Sequence, residues 1–416
     1  SFYASLTDLA NTYVNKAYVM DNYPNLLPTV TNPIMYAWGS TATNMGVGPA
    51  PVSALSPVVN LMPSAGGIKQ IAVGTAAQAA IKTDGTLWMW GTNTNGQLGD
   101  NTSSIRSSPI SVLGGKSDWK QVSVGYTHTA ALDANNSIWC WGSNAQYQLG
   151  DGTSSNRLSP VLFIYGSLYK SVAAGASNTF AIDLDGTLWA WGVNTRGQLG
   201  DNTQSLRSSP VVVVGGKTWS SVVSSQRGVG TDGTTFAIDT DGVLWSWGNN
   251  QNGILGNGSN TTSYSSPISV IGGKKWLQVA TNGETAGAIA TDGTLWMWGE
   301  NSNGQLGDNT KIAKSSPVSV SGGGTNWKQL FISYSNANSG TGYALKTNGT
   351  IWSWGYNVSG QLGDGTTTSR SSPNSVLAVP QIAANTTAAQ TSWKMLPLGG
   401  GQPNPICLAI LEGQGY

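Results

Sequence analysis

Residues 119–142 read WKQVSVGYTHTAALDANNSIWCWG. Three short strands are legible in that stretch: Trp119 to Gly125, His128 to Asp133, and Ser137 to Gly142. Each has strand length, and turn-forming Asn135-Asn136 separates the second from the third. After a long polar loop, Ser159-Pro160-Val161-Leu162-Phe163-Ile164 supplies a fourth strand. The closing Trp-Gly pair then marks the period. It occurs at Trp38-Gly39, Trp90-Gly91, Trp141-Gly142, Trp191-Gly192, Trp247-Gly248, Trp298-Gly299 and Trp354-Gly355, at spacings of 50 to 56 residues. Self-similarity at such a period marks units that cannot bury their apolar faces alone and need neighbours.

The turn between second and third strands is Asp84-Gly85, Asp185-Gly186, Asp241-Gly242, Asp292-Gly293 or Asn348-Gly349 in the other units. These dipeptides predict a two-residue primed hairpin turn, with positive φ at both central residues. In the third strand, Leu87-Trp88-Met89-Trp90, Leu188-Trp189-Ala190-Trp191 and Ile351-Trp352-Ser353-Trp354 are apolar or small on both faces. A strand buried on both faces must be sandwiched, and radially arranged blades provide that sandwich.

The segments Trp90 to Asp100 with Arg106 to Pro109, Trp191 to Asp201 with Arg207 to Pro210, and Trp354 to Asp364 with Arg370 to Pro373 share the pattern W-G-x-N-x-x-G-Q-L-G-D followed by R-S-S-P. This pattern resembles the regulator of chromosome condensation repeat and spans roughly residues 34 to 416. Some copies depart from it. Tyr264 and Lys314 replace the arginine, Asn257 replaces the aspartate, and Ser40 to Leu55 lacks the Gly-Gln-Leu-Gly core. The resemblance implies an all-β, seven-bladed β-propeller of four-stranded antiparallel blades. Trp393-Lys-Met-Leu and Ile406 to Leu411 supply a first and second strand without a third. Met35 to Gly39 and Ser56 to Asn60 supply a third and fourth. The N- and C-terminal segments are therefore expected to share one blade and close the ring.

Residues 1–33 read as an arm ahead of the propeller at 34–416. Thr7 is placed to cap a short helix over Asp8 to Met20, with Leu9, Tyr13, Val14 and Ala17 on one face, before a Pro-containing connector. That stripe either packs on the propeller or anchors the chain to an assembly partner.

The chain has 416 residues, 55 glycines, 18 tryptophans and 9% charged residues, against roughly 25% in ordinary soluble domains. Twenty basic residues face 19 acidic ones without a basic block, which argues against nucleic-acid partners. No apolar run is long enough for a membrane span, so no membrane insertion is expected. Cys140 and Cys407 fall in units the repeat map sets apart, which argues against a disulfide. His128 is the one histidine in the chain, and its expected role is structural. Asp100, Asp151, Asp201, Asp308 and Asp364 occupy equivalent places in different blades, so they are expected to bond loop backbone and not to pair as an acid and base. No cofactor and no metal are expected.

These readings favour a non-enzymatic binding propeller. Among relatives implied by the resemblance are a chromatin nucleotide-exchange factor, an ultraviolet photoreceptor and a β-lactamase inhibitor. The first wants basic tails and the second a Gly-Trp-Arg-His-Thr motif; the chain has Gly125-Tyr-Thr-His-Thr129 instead. Lengthened connections over Ser224 to Thr235, Ser333 to Gly342 and Leu398 to Pro405 make candidate partner-binding loops, with Gln226, Arg227, Asp232, Tyr334, Asn336, Gln402 and Asn404 as contact residues. The expected partner is another protein or a surface glycan. Few lysines and abundant Ser, Thr, Asn and Gly suggest a virion appendage, cytoplasmic before assembly and then at the virion surface or extracellular. A secreted or cell-surface bacterial binding protein is the alternative.

Overall fold

The computed structural model describes residues 34–40, 53–59, 67–75, 77–163, 166, 168–226, 233–260, 263–334, 339–377, 393–395 and 406–411. Six blades are each built from four consecutive antiparallel strands. In the first, Ile68–Val73, Ala77–Lys82, Leu87–Gly91 and Arg106–Ser111 run from the axis outward. The remaining five inner strands are Trp119–Val124, Tyr169–Ala174, Trp219–Ser224, Trp276–Thr281 and Trp327–Tyr334, and successive ones lie against each other. A further four-stranded sheet is composite, in the order Ser53–Val59, Ile34–Ser40, Ile406–Leu411, Trp393–Met395. In it Met35 pairs with Ile410 and Trp38 with Cys407.

The expectation of a seven-bladed propeller, with one blade shared by N- and C-terminal strands, is thereby corrected: six blades are built, each from four consecutive strands, and the terminal strands form the separate composite sheet. The first Trp-Gly copy has no inner strands of its own and meets them only at the other end of the chain. Among the described residues there is no α-helix, only a three-residue 3-10 turn at Gln251–Gly253. The described residues therefore show no helical arm, and the segment expected to form it, with Leu9, Tyr13, Val14 and Ala17, lies outside them. The fourth strand of the unit first quoted starts earlier than expected, at Arg157–Leu162.

The hairpin turn also differs. Only its second residue has positive φ: Gly85 at 79°, Asn136 at 62°, Gly186 at 87°, Gly242 at 78°, Gly293 at 76° and Gly349 at 80°. The N–H of Gly85 donates to the carbonyl of Lys82, and the N–H of Lys82 to the carbonyl of Thr86. This is a three-residue loop, an ordinary turn followed by one left-handed residue. The Asp84 side chain accepts from the Thr86 N–H and hydroxyl, which favours that form. The turn carbonyl then links blades. The Trp119 N–H donates to Gly85 at 3.0 Å, Trp219 to Gly186, Trp276 to Gly242 and Trp327 to Gly293. The Trp393 N–H donates to Gly349 at 2.8 Å, which ties the composite sheet to blade six in the same way.

The core is a series of inter-blade clusters. Between blades one and two, Ala79, Leu87, Met89 and Leu98 pack against Trp119, Val122, Ala131 and Trp141. In blades two to six the indole Nε1–H of the Trp-Gly tryptophan then donates to a loop carbonyl of the preceding blade. Trp141 reaches Gln97 at 2.9 Å, Trp191 Gln148 at 3.0 Å, Trp247 Gln198 at 2.9 Å, Trp298 Ile254 at 2.7 Å and Trp354 Gln305 at 2.8 Å. The glycine two residues after each acceptor lies against the same indole. A Cβ on Gly150, whose φ is +68°, would stand 2.6 Å from Trp191 Nε1. Gly115 is also left-handed, at +62°, but has nothing within 4 Å. Gly115→Ala should therefore cost only the backbone preference, about 1 kcal/mol, while Gly150→Ala adds displacement of the indole and should cost about 2 kcal/mol or more. Equal losses of stability in denaturant titrations of the two variants would contradict this packing.

Candidate functional site

Two faces and one channel are available. On one face lie the long loops between third and outer strands, and each is a closed hydrogen-bonded knot. In blade one, Asn93 Nδ2 donates to Asp100 Oδ1 and the Thr102 carbonyl, and Asn93 Oδ1 accepts from the Leu98 N–H. Asp100 Oδ1 accepts from the Thr102 hydroxyl, and Asp100 Oδ2 pairs with Arg106 at 2.6 Å. Burial pushes the Asp100 carboxyl upward, but the bonds from Thr102, Arg106 and Asn93 outweigh it and hold it below its ordinary range. Asp151, Asp201 and Asp364 repeat the arrangement with Arg157, Arg207 and Arg370. Each aspartate is engaged by its own loop, as expected of a structural residue. Where Asn257 and Tyr264 stand in blade four, Asn257 still accepts from the Ser259 N–H at 3.1 Å.

Of the residues expected to contact a partner, Gln226 is 1% exposed and sits at the loop end of the central channel. Its Nε2 donates to the Val124 carbonyl at 2.6 Å, and its carbonyl accepts from the Thr75 hydroxyl at 2.8 Å. It therefore ties blade four to blades one and two and is not a surface contact. Tyr334 ends the inner strand of blade six and is half-buried. Part of that lengthened connection is strand, because Trp327–Tyr334 pairs with Gly340–Lys346 along its whole length. Arg227, Asp232, Asn336, Gln402 and Asn404 lie outside the described residues.

The opposite face carries what one-dimensional reading missed. The second residue of the inner strands is Lys69, Lys120, Lys170, Lys328 and, in the composite sheet, Lys394, all exposed; blades four and five have Ser220 and Leu277 there. A bulge at this position turns the side chain out of the sheet, and Lys120 Nζ donates to Asn136 of the hairpin turn at 2.7 Å. These lysines, distant in sequence, thus share the end of the inner strands at which the hairpin turns lie. The signal was present as the residue following the first residue of the inner strand, aromatic except at Ile68, but only the folded arrangement places these lysines on one face.

Other chemistry-bearing groups are internal. His128 is fully buried, with Nε2 2.9 Å from Thr179 Oγ1. The Thr179 hydroxyl donates to the Gln148 carbonyl, so it accepts from the imidazole, which places the proton on Nε2. Burial lowers the imidazole pKa to about 3 and raises that of the buried thiol Cys140, which is a free cysteine. Among the described residues no cluster of three His, Cys, Asp or Glu side chains is placed to hold a metal ion, and no helix is long and apolar enough to cross a membrane.

Comparison with known proteins defines the class. Residues 31–339 match the RCC1-like domain, and residues 348–387 match the regulator of chromosome condensation (RCC1) repeat. The chain belongs to the RCC1-like domain family. It is 35% identical over 147 residues to the human probable E3 ubiquitin-protein ligase HERC6, covering 34% of this chain and 14% of that protein. It is 28% identical over 254 residues to the Arabidopsis thaliana ultraviolet-B receptor UVR8, covering 60% of this chain and 57% of that one. The chain thus spans only part of the length of these relatives. Among solved structures, Saccharomyces cerevisiae Prp20p, described with its binding to Gsp1p and histones, aligns with a TM-score of 0.77 at 19% identity over 95% of each chain. Human WBSCR16 aligns with a TM-score of 0.73 at 18% identity, over 91% of this chain and 99% of that one. At such identities the likeness concerns the fold.

His128 yields a pH prediction. Its folded pKa lies below the unfolded value of about 6.5, so its contribution is complete above that pH and declines as pH falls towards 3. Stability should fall by up to about 1.4 kcal/mol per pH unit below pH 6, before the carboxylates titrate. Asn178 occupies the equivalent position in blade three, so His128→Asn should fold and flatten that slope. An unchanged slope between pH 6 and 5 in urea titrations would count against a buried neutral imidazole.

Proposed function

We propose that this chain is a non-enzymatic protein-binding propeller that offers its lysine-ringed face to an acidic surface of a partner protein. The observation that carries the reading is that Lys69, Lys120, Lys170, Lys328 and Lys394 are exposed at the same position of their inner strands, on the hairpin side, in a chain of net charge +1. A like-charged ring on a rigid frame attracts and orients an acidic partner. The opposite face is knotted into its own hydrogen bonds, as Asn93, Asp100 and Arg106 illustrate. The same scaffold serves protein contact in Prp20p, described as binding Gsp1p and histones.

The finer setting proposed is a virion or cell-surface appendage, with residues 1–33 as its attachment segment. It is supported by the low charge and the Ser-, Thr-, Asn- and Gly-rich composition alone. Deleting residues 1–32 should abolish incorporation into purified particles, measured by mass spectrometry; equal incorporation of the shortened chain, or absence of the full chain from particles, contradicts this setting.

The lysine face is tested by the triple variant Lys120→Glu, Lys170→Glu and Lys328→Glu. These exposed side chains should be replaceable with little loss of stability, within about 0.5 kcal/mol each. A partner identified by crosslinking in the native host, after nuclease treatment, should bind the variant at least about tenfold more weakly, with a steeper salt dependence for the wild type. Unaltered affinity of that partner refutes the reading. Binding that disappears with nuclease assigns the face to nucleic acid instead.

A further inference from the structure

The inner strands are joined by a side-chain amide. Gln70 Nε2 donates to the Val122 carbonyl at 2.8 Å, and Gln70 Oε1 accepts from the N–H of the same residue at 3.0 Å. Gln121 does this to Val172, with both bonds at 3.1 Å, and Gln278 to Leu330 at 3.0 and 2.9 Å. One carboxamide thus closes a two-bond ring on one backbone residue of the next blade. It matches a donor and an acceptor side by side, as the amide demands.

At two consecutive junctions this clamp is missing. The residue equivalent to the glutamine is Ser171 in blade three and Ser221 in blade four. The backbone residues that would receive the amide are Val222 and Val279. They hold the register position of Val122: Val222 pairs with Ala237, Val279 with Ala288 and Val122 with Ala131. Their N–H and C=O therefore point away from their own sheets towards the preceding blade. A serine side chain is too short to repeat the two-bond ring, and neither the Ser171 nor the Ser221 hydroxyl has a hydrogen-bond partner among the described residues. The central channel holds a cavity of about 220 Å³ lined by all six inner strands, with Ser171, Ser221, Val222 and Val279 on one side and the clamped Gln70 and Gln121 on the other. Gln226 closes the loop end, and its buried Oε1 has no hydrogen-bond partner among the described residues. Leu277, 64% exposed, stands at the lysine-ringed mouth.

We propose that this cavity is a binding site for primary carboxamides, taken up through the lysine-ringed mouth onto the free main-chain pairs of Val222 and Val279. The ligand amide makes the two bonds that Gln70, Gln121 and Gln278 make elsewhere in the ring. A glutamine or asparagine side chain of a protein partner and a free small amide share this chemistry. The protein-binding reading bears only on the source of the amide; the site itself stands without it.

The test is titration of the full chain, isotopically labelled, with propionamide, following the backbone amide resonances of Val222 and Val279. Both should shift saturably. N,N-dimethylpropionamide, which has no N–H donor, should leave them unmoved. Ser171→Gln should silence Val222 alone and Ser221→Gln should silence Val279 alone, each lowering affinity at the closed position by about tenfold or more. Both variants place glutamine where other blades carry it, and their melting temperatures verify folding. Tighter binding of N-acetylglutamine methylamide than of propionamide identifies a side chain as the natural occupant, and equal binding identifies a free amide. Absence of saturable shifts, equal shifts with the dimethylated amide, or shifts that persist at Val222 in Ser171→Gln would overturn the site. None of these readouts involves a protein partner, so they are independent of the charge-reversal result.

Discussion

The structure depends on a hydrogen bond that crosses from each of blades two to six to the one before it. The Trp-Gly tryptophan has both faces against apolar neighbours and its indole N–H on a carbonyl of the preceding loop. A buried indole without an acceptor would forfeit the desolvation cost of its N–H, and a carbonyl left alone would do the same. The two requirements are met only when adjacent blades hold the correct angle. In blades two, three and four the same carbonyl also accepts a threonine hydroxyl: Thr129 on Gln97, Thr179 on Gln148 and Thr235 on Gln198. The Asn–Asp–Arg knot holds the loop that presents that carbonyl. The motif is therefore an instruction for joining blades more than for building one.

That explains what could be read in the sequence and what could not. Trp-Gly periodicity and the double-sided apolar third strand define the blade, and the composite sheet follows from strands missing at each end. The hairpin turn differs from the two-residue form because Asp-Gly suits two turn forms. The Asp84 side chain, which accepts from Thr86, selects the three-residue one. In the sequence Gln226 reads as a loop contact because its neighbours look like an insertion. In the closed ring it reaches across to Thr75, 151 residues away. Lys120 and Lys170 were invisible as a cluster for the same reason: fifty residues of chain separate them, and ring closure brings them to one rim.

The two faces emerge with different chemistry. On the loop face, polar side chains are engaged with backbone and with each other, and the carboxylates are held ionised by those bonds. On the hairpin face, several lysines cover the outer tryptophans, as Lys116 covers Trp139 and Lys346 covers Trp352. Others, at the second position of the inner strands, project around the channel. Departures from the repeat concentrate in blades three to five, where the glutamine clamp becomes serine and the lysine becomes Ser220 or Leu277. A regular ring with an irregular sector has one distinguishable side, which a symmetrical ring lacks.

Hydrogen exchange of the indole N–H groups of Trp141, Trp191, Trp247, Trp298 and Trp354 tests the inter-blade bond most directly. If that bond joins the blades into one cooperative unit, all five should exchange only by global opening, with a common free energy equal to that of unfolding in denaturant. Fast exchange of any of them under native conditions, or a separate opening energy for each blade, would contradict the account.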